Sequence, residues 1–355
     1  MFSFFRHAKF RAPLARLRNV FGVGWRMSFA MLGHYHPMRA DEMAYSVHDE
    51  VPFKGDIPQR SGGVHSQQRL SFREQRPVLE AVENLIVTPL GGGWKDGTLY
   101  ERYSSCRPGL RMLAGPPKPI TEVDSGYFIQ SEHTDTFGDW MSEYLSPLSH
   151  LESIDGPVYL PRAMADKPYV KRDAERLNIN FVGVEGALLI RNAQVVRQRR
   201  CIRYWRHDDV TALRKLIAAN PEAPAPGSLV YLSRHGEASE VANRTHPNLL
   251  IEALVRRRGG VVLRTSQASY EDYRNAASEA ETVLFDHGSA GYNMVYWRSR
   301  RVIELVSDAW WMNSFLFFAD ALGIRDYSLI CSDRGSPDDV ASRIERALDA
   351  PITPS

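Results

Sequence analysis

Between Leu229 and Val306 short apolar runs alternate with amphipathic stretches at a regular spacing. The spacing predicts strand Leu229–Ser233, helix Pro247–Arg258, strand Val261–Arg264, helix Tyr270–Ala277, strand Thr282–Phe285, helix Gly291–Trp297 and strand Val302–Val306. Strands that are apolar on both faces and separated by helical crossovers cannot form hairpins, so they pair in parallel and bury both faces of one sheet. This pattern predicts a doubly wound α/β unit with a parallel sheet, and no repeat at a solenoid period appears. Tyr327–Cys331 reads as a further strand and Pro337–Leu348 as a last amphipathic helix.

Inside that unit, Val283-Leu284-Phe285 runs into Asp286-His287-Gly288-Ser289-Ala290-Gly291-Tyr292-Asn293. Small residues let the backbone approach a ligand, and the following helix start offers free N–H groups and a positive dipole end, the combination that holds a phosphate. The plain structural alternative is a tight turn with a surface histidine.

The 355 residues suffice for two domains, and the formal charge of +2 gives no global field for nucleic acid. Cys106, Cys201 and Cys331 are scattered and odd in number, which fits a reducing compartment and no zinc site. No run approaches ~18 apolar residues, so a membrane-spanning helix is not expected. Residues 1–40 carry seven Lys or Arg residues and no acidic one, interleaved with Phe2, Phe4, Phe5, Phe10, Phe21 and Trp25. That segment suits an interfacial helix on an anionic membrane surface, a targeting peptide, or a helix packed on the protein. Residues 41–75 read as a loop-rich connector, and Gly91-Gly92-Gly93 as a turn, since no Lys-Ser/Thr pair follows it.

A first α/β unit is predicted from strands Gly126–Ser131, Val158–Leu160, Phe181–Val184 and Leu188–Ile190, with helices over Thr136–Ser149 and Lys167–Leu177. Helix Asp208–Asn220 ends at Pro221, Pro224, Pro226 and Gly227, which read as an interdomain linker. Glu132, His133, Asp135, Asp139 and Glu143 crowd the junction of strand 126–131 and the helix after it. They can supply a general base, or merely an acidic, solvated helix start.

Three of these pieces, in this order, resemble glycosyltransferase family 61. They are Phe137-Gly138-Asp139-Trp140 with Glu143, then Tyr231-Leu232-Ser233-Arg234 with Arg244, then Asp286-His287-Gly288-Ser289-Ala290 with Asn293 and Ile303-Glu304-Leu305. The resemblance covers about residues 125–325. It implies a GT-B-like α/β fold of two Rossmann-like domains facing a cleft, and inverting, metal-independent transfer from a nucleotide sugar. It further implies that Ser233, Arg234, Arg244, His287, Gly288, Ser289, Ala290 and Asn293 hold the donor diphosphate, with Glu304 at the ribose or as an inward structural carboxylate. Asp139 stands where the family often has histidine, so the base is Asp139, His133 or Glu143. Thr245-His246-Pro247 departs from the family's Asn-Glu after Arg244.

The expected organisation is a basic segment over 1–40, an acceptor-side domain over 41–222, a nucleotide-sugar domain over 227–332 and a tail over 333–355. The expected function is addition of a sugar to a capsule-type polysaccharide or lipid-linked acceptor, in the cytoplasm and peripheral on the inner membrane through residues 1–30. No cofactor, metal or nucleic acid is expected. A non-catalytic nucleotide-sugar-binding or assembly protein is the alternative. A Rossmann epimerase or oxidoreductase would need a GxGxxG that neither unit opens with.

Overall fold

The computed structural model describes residues 35–36, 44–48, 51–58, 70–74, 79–89, 92–100, 116, 118–119, 121–129, 136–196, 205–219, 221, 223–237, 246–308 and 311–352. The expectations for residues 1–30, for His133 and for Arg244 lie outside them. The described residues divide between two compact units, one within 1–44, 73–135 and 151–200, the other within 45–72, 136–150 and 201–355.

The first unit is built on an eight-stranded sheet whose order is Tyr35–His36, Thr98–Tyr100, Gly93–Lys95, Leu79–Val87, Leu188–Val196, Thr121–Phe128, Val158–Pro161, Phe181–Val184. It is a mixed sheet, where the family resemblance implies a Rossmann-like domain. Leu79–Val87 pairs antiparallel with Leu188–Val196 from Leu79↔Val196 to Val87↔Leu188, while Thr121–Phe128, Val158–Pro161 and Phe181–Val184 run parallel. Val82, Leu85 and Val87 meet Ile190, Ala193 and Val195 in one core. One antiparallel pair follows from the local chemistry of Asp96-Gly97, whose φ values of 50° and 77° make a two-residue reversal between Gly93–Lys95 and Thr98–Tyr100. A hairpin turn of that kind requires positive φ at both positions, which Asp tolerates and Gly favours.

The second unit contains a parallel sheet of β1 (Lys54–Gly55), β2 (Leu229–Ser233), β3 (Val261–Arg264), β4 (Thr282–Asp286), β5 (Arg301–Val306) and β6 (Asp326–Cys331). Helices α1 (Asn248–Arg257), α2 (Tyr270–Asn275), α3 (Ser314–Ala321) and α4 (Pro337–Asp349) connect or follow them, and Ser289–Tyr296 is a 3-10 helix between β4 and β5. The spatial order is β3-β2-β4-β5-β6-β1, with every pair parallel. Leaving β2, the chain first moves outward to β3 and then returns past β2 to lay down β4. The carboxyl ends of β2 and β4 therefore flank a topological switch point, the place where open α/β sheets leave a crevice.

Apolar faces of α1 and α4 close one side of this sheet, with Ile251, Leu254, Val255, Val340 and Ile344 packed on Leu229, Tyr231, Leu284 and Ile303. Each such side chain contributes roughly 1.5–3 kcal/mol by leaving water. β1 comes from the segment read as a loop-rich connector. Gly55 permits it, because a Cβ there would lie 2.2 Å from the Leu329 carbonyl oxygen. Lys54 Nζ bonds Asp326 Oδ1 at 2.9 Å, and Asp56 accepts the Cys331 N–H at 2.7 Å. No helix among the described residues is long and apolar enough to cross a membrane.

Candidate active site

Asp286 ends β4 with its side chain buried at the switch point. Its Oδ1 accepts from the Tyr231 hydroxyl at 2.8 Å, and its Oδ2 accepts from the Arg234 backbone N–H at 2.8 Å and from Asn248 Nδ2 at 2.5 Å. Burial raises the Asp286 carboxyl from its ordinary range, against the lowering effect of His246 and these donors. One carboxylate thus joins the ends of β2 and β4 to the start of α1. Asn248 Nδ2 also donates to the Tyr231 hydroxyl at 2.8 Å. The residue types were visible in the sequence, but Asp286, Asn248 and Tyr231 join only through tertiary pairing.

Arg234 leaves β2 and lies along the glycine loop. Its Nη1 donates to the His287 carbonyl at 3.1 Å and its Nε donates to Glu237 Oε2 at 2.5 Å. A Cβ on Gly288 would stand 3.1 Å from Arg234 Nη1, so the missing side chain is what lets guanidinium and loop meet. Ser289 and Ala290 then open the 3-10 helix, and first-turn N–H groups have no acceptor within their own helix. The turn closes through Gly291 N–H to the Gly288 carbonyl at 3.0 Å and Asn293 Nδ2 to the Ala290 carbonyl at 2.9 Å. Arg234, Gly288, Ser289 and Ala290 consequently form one cationic, N–H-bearing rim, with Asn293 bracing it from beneath.

Ser233 stands apart from that rim. It is wholly buried, and its hydroxyl donates to Glu252 Oε1 at 2.9 Å while accepting the His235 N–H at 3.2 Å. Glu252 also takes two bonds from Arg264, at 2.9 and 2.7 Å, and one from Arg256 at 3.1 Å. The Arg264 bonds foremost hold its carboxyl down at about 2. Ser233 is a structural anchor between β2 and α1, because its hydroxyl is already committed to buried partners.

His287 and Glu304 form the second feature of the loop. His287 Nδ1 lies 2.5 Å from Glu304 Oε1, and both side chains are buried. Glu304 Oε2 accepts from Trp311 Nε1 at 3.1 Å and from the Tyr327 hydroxyl at 2.7 Å. Burial first, then the adjacent Glu304 charge, pushes the Tyr327 phenol well up. A carboxylate with three buried donors is the inward structural alternative of the two expected for Glu304. Phe315 packs edge-on against the His287 ring at 5.3 Å and also meets Phe285 and Tyr292. Phe315 belongs to α3, a helix that is apolar almost all round because it fills the space beneath the loop.

The helical stretch 137–148, expected on the acceptor side, packs in this same unit. A Cβ on Gly138 would lie 2.9 Å from Ser289 Oγ and 3.3 Å from Tyr292 Cε2, so this glycine seats the helix start on the loop. Thr136 and Asp139 cap each other, with Thr136 N–H to Asp139 Oδ2 at 2.8 Å and Asp139 N–H to Thr136 Oγ1 at 3.2 Å. Trp140–Leu145 is π-helical, a wide turn that recurs at functional sites, and it buries Glu143. Two motifs far apart in sequence, Phe137–Glu143 and Asp286–Asn293, are thereby brought together. His246 sits near Asp286 and His287, its ring bonded to the Ser332 hydroxyl and its pKa lowered by burial.

Asp308, Cys331 and Asp333 offer ligand atoms within 4.8 Å of one another at the ends of β5 and β6. Arg334 bonds both Asp308 oxygens at 2.6 Å, and burial foremost pushes the Cys331 thiol up to about 12. Arg334 thus pairs this cluster through Asp308, and the Cys331 thiol is held protonated by its burial.

Residues 137–303 match the Glycosyltransferase 61 family, and the match begins at the helix seated on the loop and ends beside Glu304. No curated protein matches the chain. The segment that builds the switch-point site is a glycosyltransferase family 61 region.

Proposed function

From that family membership, we propose that the chain is an inverting, metal-independent glycosyltransferase of GT-B type, transferring a sugar from a nucleotide sugar to a polysaccharide or lipid-linked acceptor of the cell surface. The rim formed by Arg234 and the Gly288-Ser289-Ala290 backbone carries the reading. A guanidinium and the N–H groups of a helix start at a switch point suit the charge of a diphosphate. As the anomeric C–O bond breaks, negative charge grows on the departing phosphate oxygen, where these fixed donors stabilise it without a divalent cation. His287 braces the same loop, and Asn293 holds its turn closed.

The capsule-type pathway, the cytoplasmic site and membrane attachment through residues 1–30 belong to the same proposal and rest on the family resemblance and the basic amino-terminal composition. A panel of nucleotide diphosphates and nucleotide sugars, read by thermal shift and calorimetry and followed by a transfer assay, tests it. Stabilisation that grows with ligand concentration, together with sugar transfer, is the expected result. Binding without turnover on any acceptor would favour the non-catalytic nucleotide-sugar-binding reading, and no binding at all would sink both.

A further inference from the structure

We infer that Glu237 is a positioning residue for donor binding, holding the Arg234 guanidinium ready for the diphosphate; this rests on the transferase reading above. The chain reverses directly after β2. The Glu237 N–H donates to the Arg234 carbonyl at 3.1 Å, and Gly236 fills the third position of this four-residue turn with φ 84°. Glycine supplies a positive φ there without strain. The turn brings residue 237 back beside residue 234, so the ion pair between them is built into one short loop.

The guanidinium is held at two separate nitrogens. Nε donates to Glu237 Oε2 at 2.5 Å and Nη1 to the His287 carbonyl at 3.1 Å, so acceptors on two different loops fix the plane of the fork. Nη2 is bonded by none of the described residues, and the Arg234 side chain keeps 25% of its surface exposed. Glu237 is anchored in its turn by the Thr265 hydroxyl, which donates to Oε1. Thr265 follows β3 and is itself fixed by its N–H to the Ser233 carbonyl at 2.8 Å. The series Thr265, Glu237, Arg234 and His287 therefore links the loops after β3, β2 and β4 around the switch point.

A second effect opposes this one. The Glu237 charge lies beside the guanidinium and subtracts from the field that attracts a diphosphate. Both side chains are about a quarter exposed, where water and salt screen such a charge. The cost of ordering a long side chain at the moment of binding is not screened. Positioning therefore wins, and what Glu237 supplies is its hydrogen-bond acceptor rather than its charge.

Calorimetry with uridine, guanosine, cytidine, adenosine and thymidine diphosphates separates the two effects. E237A removes acceptor and charge together and is expected to weaken binding by roughly 3- to 10-fold. E237Q keeps a carbonyl oxygen for Nε and is expected within about twofold of wild type. Added to R234A, E237A is expected to change affinity by less than about twofold, because the residue acts only through the guanidinium; a merely structural role would persist in that background. T265V leaves the ion pair but frees its carboxylate from β3, and it is expected to weaken binding by about two- to threefold, which carries the test if E237A does not fold. Tighter binding in E237A, wild-type affinity in both E237A and T265V, or an undiminished loss in the R234A background overturns the positioning role and leaves the transferase reading standing. A wild-type chain that binds none of these diphosphates overturns the transferase reading itself.

Discussion

Arg234 donates its backbone N–H to Asp286 Oδ2 at 2.8 Å, so the last peptide of one strand end is held by the side chain of the other. The same carboxylate collects the Tyr231 hydroxyl and Asn248 Nδ2. D286N keeps the shape but turns one acceptor oxygen into a donor, which then faces an N–H or O–H that needs an acceptor. Each buried donor left unsatisfied costs about 1–3 kcal/mol. Urea unfolding should therefore show D286N destabilised by that order, and calorimetry should show weaker nucleotide diphosphate binding because the Arg234 backbone is no longer fixed. An unchanged midpoint and affinity would remove Asp286 from its organising role.

Arg234 itself carries the charge of the rim. Its contacts to Glu237 and to the His287 carbonyl orient the guanidinium. R234A leaves the sheet and its core intact and removes a charged hydrogen-bond donor worth about 1.5–3 kcal/mol. Nucleotide diphosphate affinity should fall by roughly 10- to 100-fold, with the thermal midpoint of the free protein close to wild type. R234K should recover only part of the loss, because an ammonium lacks the planar fork. Equal affinity in all three proteins would place the diphosphate elsewhere.

Two glycines of the loop separate binding from stability. Gly288 has extended backbone, and an added Cβ first meets the Arg234 side chain, 3.1 Å from Nη1. Gly291 is enclosed, and a Cβ there would lie 2.9 Å from both the Phe285 and Phe315 rings. G288A should thus weaken nucleotide binding with little change in unfolding midpoint. G291A should cost about 1–3 kcal/mol by overpacking, whatever ligand is present. The paired measurements are chemical denaturation and calorimetry on both variants, and identical behaviour would contradict the packing described.

The β/α alternation was legible because each strand of the second sheet, Leu229–Ser233 above all, is a continuous apolar run with clear punctuation. β1 was not, since Lys54-Gly55 is polar, two residues long and held by ion pairs made with distant parts of the chain. The mixed sheet of the first unit had a signal in Asp96-Gly97, but its partner strand Leu188–Val196 is far off in sequence. Of the site, the loop 286–293 and Arg234 were readable from residue type and order. The separate fates of Ser233 and Glu304 were not, because a buried hydroxyl or carboxylate looks like a binding group until its partners are known. Gly138 read as part of a motif, while its task of seating one motif on another needs the tertiary contact.

Two buried groups make stability depend on pH in separate windows. Glu252, bonded by Arg264, Ser233 and Arg256, has its carboxyl held at about 2 against an ordinary 4.5. The folded state then binds fewer protons than the unfolded one below pH 4.5, so the stabilisation is complete above that pH and is lost as pH falls toward about 2. The shift corresponds to stabilisation on the order of 3 kcal/mol. His246 acts higher on the scale. Burial lowers its pKa below the ordinary 6.5, so the unfolded chain gains a proton first and stability declines as pH drops below 6.5. Urea midpoints from pH 8 to pH 3 should fall in two stages. H246Q should flatten the upper stage and E252Q the lower, with E252Q also less stable at neutral pH because it loses the charge that Arg264 and Arg256 face. A wild-type profile that stays level from pH 7 to pH 3 would contradict both assignments.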